Sequence, residues 1–163
     1  MAVVLQGKQA SHAPQHLIGY KMHIIAHRGN VNGPASENEN RPKYLLSAIS
    51  AGFDVEVDVW HKDNKWLLGH DSPIYHVGQD FFTNRMWLHC KNIQAAEQLQ
   101  KTNLNWFWHE NDSMTLTSKG HIWCYPENYI KNGITVHLGS PTQQLPKIFG
   151  ICTDYALLWR QHA

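Results

Sequence analysis

The chain has 163 residues, 42% of them hydrophobic and 17% charged, which is enough for one globular domain and excludes intrinsic disorder. Its formal net charge of +1 excludes a general electrostatic grip on nucleic acid, which needs many phosphate neutralisations. No run reaches the roughly 18 apolar residues of a membrane span.

Residues 1–21 carry a short apolar patch in "MAVVLQGKQA" but neither a signal-peptide pattern nor a clear period. They are expected to be an N-terminal extension without catalytic content, with residues 22–163 forming a single domain. "MHIIAHRGN", Met22 to Asn30, reads as a buried strand that ends in His27, Arg28 and Gly29. The loop "NVNGPASENEN" follows, rich in Asn, Gly and Pro. "RPKYLLSAISAG" is helical: Pro42 suits a first turn, Tyr44, Leu45, Ala48 and Ile49 share a face, and Gly52 suits the stop. "FDVEVDVW" alternates as a strand does, "HKDNKW" is a turn, and "WLLGHD" is a second strand running into His70 and Asp71. "MWLHCKN" is a strand, followed by a helix over "IQAAEQLQKT". "NWFWHEN", "HIWCYPE", "ITVHLG" and "GICTDY" are further short strands. Strands alternate with helices early, which predicts a parallel α/β sheet or barrel. Later they follow one another too closely for full helices between them.

Cys90, Cys124 and Cys152 each sit in an apolar run and form no CxxC pair, so a structural zinc site is not expected. They read as buried, reduced thiols of a reducing compartment, and the expected location is cytoplasmic. On the "DVEVDVW" strand Val55, Val57 and Val59 point one way, and Glu56 and Asp58 the other. Two carboxylates spaced by two form half of a hard-cation site; the same alternation also suits a strand with one solvated face. In "NWFWHEN" Trp106 and Trp108 share one face, Phe107 and His109 the other. Core packing and a wall for a substrate head group are both open there.

Taken together, His27-Arg28-Gly29, Glu39-Asn40, Gly52-Phe53-Asp54, Glu56-Val57-Asp58-Val59, Lys62-Asp63 and His70-Asp71 resemble the glycerophosphodiester phosphodiesterase family, within the phospholipase-C-like phosphodiesterases. The similarity thins after His70. "LHCKN" stands where the family has Glu-x-Lys, Trp123 is a remnant of a late-strand aromatic, and "GICTDY" matches the family's closing strand.

The resemblance implies a metal-dependent phosphodiester hydrolase. His27 and His70 would act as the acid–base pair, one deprotonating the attacking hydroxyl and one protonating the leaving alkoxide, with the assignment between them open. Arg28 and Lys91 would bind the phosphate, and Glu39 would support them. Glu56 and Asp58 would hold a divalent cation, Mg, Ca or Mn, with Zn an option. A hydroxyl of the substrate itself would attack, through a cyclic phosphate. The departure is His89, which stands where the family has a third carboxylate ligand. Either His89 ligates a softer metal, or Glu110 or Asp112 supplies the oxygen, or the site only binds a phosphorylated ligand. A phospholipase-D-like lyase on the same scaffold is the remaining alternative.

The family's (β/α) barrel typically takes at least about 200 residues, and about 140 follow Met22. The expected fold is therefore a compressed TIM-type barrel, with outer helices shortened or missing after "WFWHEN". Bare strand faces would make a homodimer useful. The expected partner is a small phosphodiester, with no nucleic acid and no transmembrane segment.

Overall fold

The structure, a computed structural model, describes residues 22–126, 128–141 and 145–162. The extension expected over 1–21 lies outside the described residues.

Strand β1 (His23–Ala26) runs into a 3-10 turn over His27–Gly29. Helix α1 (Pro42–Ser50) follows, with Pro at its first turn and Leu45 and Ala48 buried. It stops at Gly52, whose φ of 93° is a left-handed conformation open to glycine. The long β2 (Asp54–Lys62) turns back through Asp63 and Asn64, both with φ above 50°, into β3 (Lys65–Leu68). That is the two-residue primed turn that matches the twist of paired strands. Then come β4 (Tyr75–Val77), β5 (Met86–Cys90) and α2 (Ile93–Leu99). Asn92 caps α2 by accepting the Ala95 N–H at 3.1 Å. The remaining strands are β6 (Asn105–Phe107), β7 (Met114–Leu116), β8 (Ile122–Cys124), β9 (Ile134–Val136) and β10 (Gly150–Thr153), followed by α3 (Ala156–His162). The expected strands and two helices are present. β4, β7 and α3 were not anticipated.

The strands form one mixed, curled sheet in an α/β arrangement. Its parallel part runs β6-β5-β2-β1-β10-β9-β8, with β7 antiparallel on β8 and the β3-β4 pair on the far end of β2. β1 and β10 pair along their whole length, Ala26 opposite Thr153. The sheet is a half-barrel: among the described residues no ladder joins β6 to β7. Trp106 instead exchanges hydrogen bonds with Ser118 just after β7, and Thr115 Oγ1 donates to the Trp108 carbonyl.

Two apolar layers hold the sheet. Outside, Val55, Val57 and Val59 pack under Leu45 and Ala48 of α1 and Ala95 and Leu99 of α2. Inside the curl, Ile25, Trp87, Phe107, Trp123, Ile134 and Cys152 form a second cluster. Trp159 of α3 covers Ile148 and Ile151. No α-helix separates β6 from β10 among the described residues. The three cysteines are buried and free, and burial pushes the Cys90 thiol up to about 12. No described helix is long and apolar enough to cross a membrane.

Candidate active site and metal centre

β1 and β2 lie side by side, so the turn after β1 meets the middle of β2. That turn is tight. Arg28 adopts φ 51°, a left-handed conformation uncommon outside glycine and typical of functional sites. Its backbone N–H donates to Glu56 Oε2 at 3.2 Å. A side chain at Gly29 (φ 88°) would press on the Tyr44 ring at 2.9 Å, so the turn requires glycine there.

His27 is largely buried. Its Nδ1 lies 2.8 Å from Asp154 Oδ1, and its Nε2 is 4.0 Å from Glu56 Oε2. Asp154 also accepts from Asn30 Nδ2 at 2.8 Å, and Asn30 donates in turn to Glu39. Burial opposes a proton on His27. The Asp154 bond and the Glu56 charge outweigh it, so the ring titrates above its ordinary value.

The second histidine is placed by the β2-β3 hairpin. Gly69 donates to the Asp58 carbonyl, and Trp60 Nε1 donates to the Gly69 carbonyl at 2.6 Å. His70 follows at once, with Nδ1 2.6 Å from Asp71 Oδ1. Each histidine thus has one ring nitrogen engaged by a carboxylate and the other left over.

Glu56 and Asp58 are 3% and 0% exposed, which rules out the solvated-face alternative for this strand. Asp58 is clamped by Asn40, which donates to Oδ2 at 2.8 Å and accepts the Asp58 N–H at 3.0 Å. Arg28 Nε stands 3.2 Å from Oδ2, His89 Nδ1 3.2 Å from Oδ1 and Lys91 Nζ 3.5 Å from Oδ1. Burial alone would raise the Asp58 carboxyl, but the His89, Lys91 and Arg28 cations hold it far below the ordinary carboxylate range. His89 Nδ1 is also 3.6 Å from Glu56 Oε1. Burial lowers the His89 ring, the two carboxylates raise it, and the carboxylates prevail.

Glu56, Asp58 and His89 offer ligand atoms within 4.8 Å of one another, so this cluster could in principle hold a metal ion. Two observations fit that use. The donor set is two carboxylates and an imidazole. Asp58 Oδ1, fully buried, has no well-aligned hydrogen bond; His89 and Lys91 face it at 3.2 and 3.5 Å as charges only, which leaves its lone pairs open to a metal ion.

The His89 ring packs against two others from the neighbouring strand segment: Phe107 at 4.9 Å and His109 at 4.7 Å, both nearly parallel to it. Burial, with the His89 and Lys91 charges, pushes His109 down to about 4, so it stacks as a neutral ring. Tyr125 meets the edge of His109 at 4.6 Å.

A cavity of about 220 Å³ opens over the cluster, with His27, Arg28, Glu56, His70 and His89 on its wall. No family model, curated protein or solved structure matches the chain.

The geometry gathers most of the expected residues. His27, His70, Arg28, Glu56 and His89 share the cavity, and Asp58 lies directly beneath. Glu39 accepts a hydrogen bond from Arg28 Nη1 at 3.0 Å. Lys91 is not on the cavity wall; its ammonium serves Asp58. Glu110 and Asp112 are exposed and outside the ligand cluster, so of the alternatives for a third ligand only His89 is in position. The "NWFWHEN" strand divides: Trp106 and Trp108 pack on the outer core, while Phe107 and His109 line the cavity. Asp154, Asn30 and His109 were missed as site residues. The Thr-Asp that ends β10 was visible, but its meeting with His27 depends on the β1-β10 register.

Proposed function

We propose that the chain is a metal-dependent phosphodiesterase acting on a small phosphodiester, its curled sheet a compressed (β/α) barrel. The observation that carries this reading is the pair of histidines, His27 and His70, each engaged by its own carboxylate on the wall of one cavity. Binding a phosphate needs only positive charge. Two imidazoles held in this way suit proton transfer in opposite directions across a phosphorus.

His27 gives the proton to the leaving alkoxide, because Asp154 and Glu56 favour its protonated form. His70 takes the proton from the attacking hydroxyl, with Asp71 steadying the ring. Arg28 is partly occupied by Glu39 and Asp58, and its remaining donors face the phosphoryl oxygens. A divalent cation held by Glu56, Asp58 and His89 would supply positive charge for those oxygens.

The test is turnover of glycerophosphodiesters and bis(p-nitrophenyl) phosphate with Mg, Ca, Mn and Zn in turn, beside His27→Ala and His70→Ala. Metal-dependent turnover of a glycerophosphodiester, lost in both variants, is expected. Undiminished turnover of the glycerophosphodiester in either variant refutes the acid–base pair.

A further inference from the structure

The cavity is divided along its length. One wall, from the β1 to β5 side, is charged. The other, from the β6 to β9 side, is apolar apart from the His109 ring: Phe107, Trp123, Tyr125, Pro126, Val136 and Leu138. Phe107 and Trp123 also belong to the inner core, so their presence there explains itself. Tyr125 and Leu138 do not. They are 41% and 39% exposed and belong to none of the core clusters. Both stand beside backbone anchors: the Tyr125 N–H donates to the Ser113 carbonyl at 2.9 Å, and the His137 N–H beside Leu138 donates to the Cys152 carbonyl at 2.8 Å. Single exposed apolar side chains are ordinary. Two at the mouth of one cavity, on the wall facing the ionic groups, form an apolar path out of the phosphate site.

We propose that this wall selects a phosphodiester whose alcohol carries an aliphatic chain, with the phosphate against Arg28 and the chain running out over Val136, Leu138 and Tyr125. The proposal rests on the phosphodiesterase reading for its phosphate end. The wall is complementary to such a ligand in the way the charged half is to the phosphate: covering it removes apolar surface from water, which a glycerol or sugar alcohol leaves exposed and poorly matched. With a volume of about 220 Å³, the cavity is smaller than a typical drug-sized pocket. A long chain therefore leaves it across the exposed pair at the mouth.

The experiment is calorimetric binding of methyl alkyl phosphates, from methyl to octyl, to the Mn-loaded protein below their aggregation limits. Hydrolysis of bis(p-nitrophenyl) phosphate is followed alongside. Full burial of a methylene strengthens binding by roughly fourfold, and a half-exposed path by less. Affinity is expected to rise at least about tenfold from ethyl to hexyl. Leu138→Asn and Tyr125→Ser, both at exposed positions, are expected to flatten that rise. A flat or falling series, a rise that persists in both variants, or no binding of any member overturns the proposal. Absent hydrolysis with an intact chain-length rise defeats the phosphodiesterase reading and leaves the apolar wall standing. Repeating the octyl measurement with the ligand dispersed in phosphatidylcholine vesicles assigns the source. Tighter binding there points to a membrane lipid, and tighter binding of the monomer to a free amphiphile.

Discussion

Asp154→Asn keeps the shape of the side chain and removes its charge. Asp154 Oδ1 lies 2.8 Å from His27 Nδ1 and accepts from Asn30 Nδ2 at the same distance, so the carboxylate both orients the ring and stabilises its proton. A hydrogen bond to a charged group contributes about 1.5–3 kcal/mol. Felt fully in the transition state, that is a loss of about ten- to hundredfold in kcat/KM. The pH profile gives the sign. Burial pulls the His27 pKa down and Asp154 is the largest influence opposing it, so the variant ring titrates lower. A proton donor works only while protonated, and the basic limb of kcat/KM therefore moves to lower pH. The assay compares a glycerophosphodiester with bis(p-nitrophenyl) phosphate. An alkoxide needs a proton to depart and p-nitrophenolate does not, so the loss is expected to be large on the first and small on the second. Equal losses on both substrates, or a basic limb that stays in place, would refute the role given to His27.

Two further outcomes follow from the packing. His109→Ala removes one of the two rings that hold His89, whereas His109→Phe keeps a flat ring there. Outer partners of a metal ligand typically affect affinity by about 10- to 100-fold. A Mn titration is expected to show loss of that order in the Ala variant and recovery in the Phe variant; equal losses in both would make His109 a ligand or a hydrogen-bonding group instead. At the opposite end of the sheet, Asp54 accepts from His23 at 2.7 Å, Arg85 at 2.6 Å and Trp87 at 3.2 Å. Burial raises the Asp54 carboxyl, these partners lower it, and the net shift is downward. The stability this group contributes is present above the unfolded carboxylate value of about 3.9 and is lost as pH falls through its lower folded value. Asp54→Asn is expected to cost about 1–2 kcal/mol in urea unfolding at pH 7, with little of it from the half-exposed Arg85. The gap should close on acidification to pH 2, and a gap independent of pH would sink the assignment.

Local signals carried the first half of the fold. Pro42 and Gly52 bound α1, the Asp63-Asn64 turn makes the hairpin, and the alternation of "DVEVDVW" puts Glu56 and Asp58 on one face. What alternation could not show is that both faces are covered, because closure of the inner face comes from Trp87, Phe107 and Trp123 on strands far along the chain. The same limit hid Asp154. Its contact with His27 spans 127 residues and exists only because β10 pairs with β1.

His89 decides what kind of metal the site takes. In the metal-free protein the ring sits beside Asp58 and Glu56, which raise its pKa against the effect of burial. A metal can use its nitrogen only after the proton leaves. Metal affinity is therefore expected to fall as pH drops through that raised value, well before the depressed Asp58 carboxyl is itself protonated. His89→Glu changes both halves of this balance. Three carboxylates then share a buried space with Arg28 and Lys91, which destabilises the metal-free protein. The donor set becomes all oxygen, which suits Ca and Mg better than an imidazole does. The expected result is a lower melting temperature without metal, a larger rise on adding Ca, and a ratio of Ca to Zn affinity higher than in the native protein. An unchanged ratio would mean that the atom at position 89 does not touch the ion, and that Glu56 and Asp58 hold it alone.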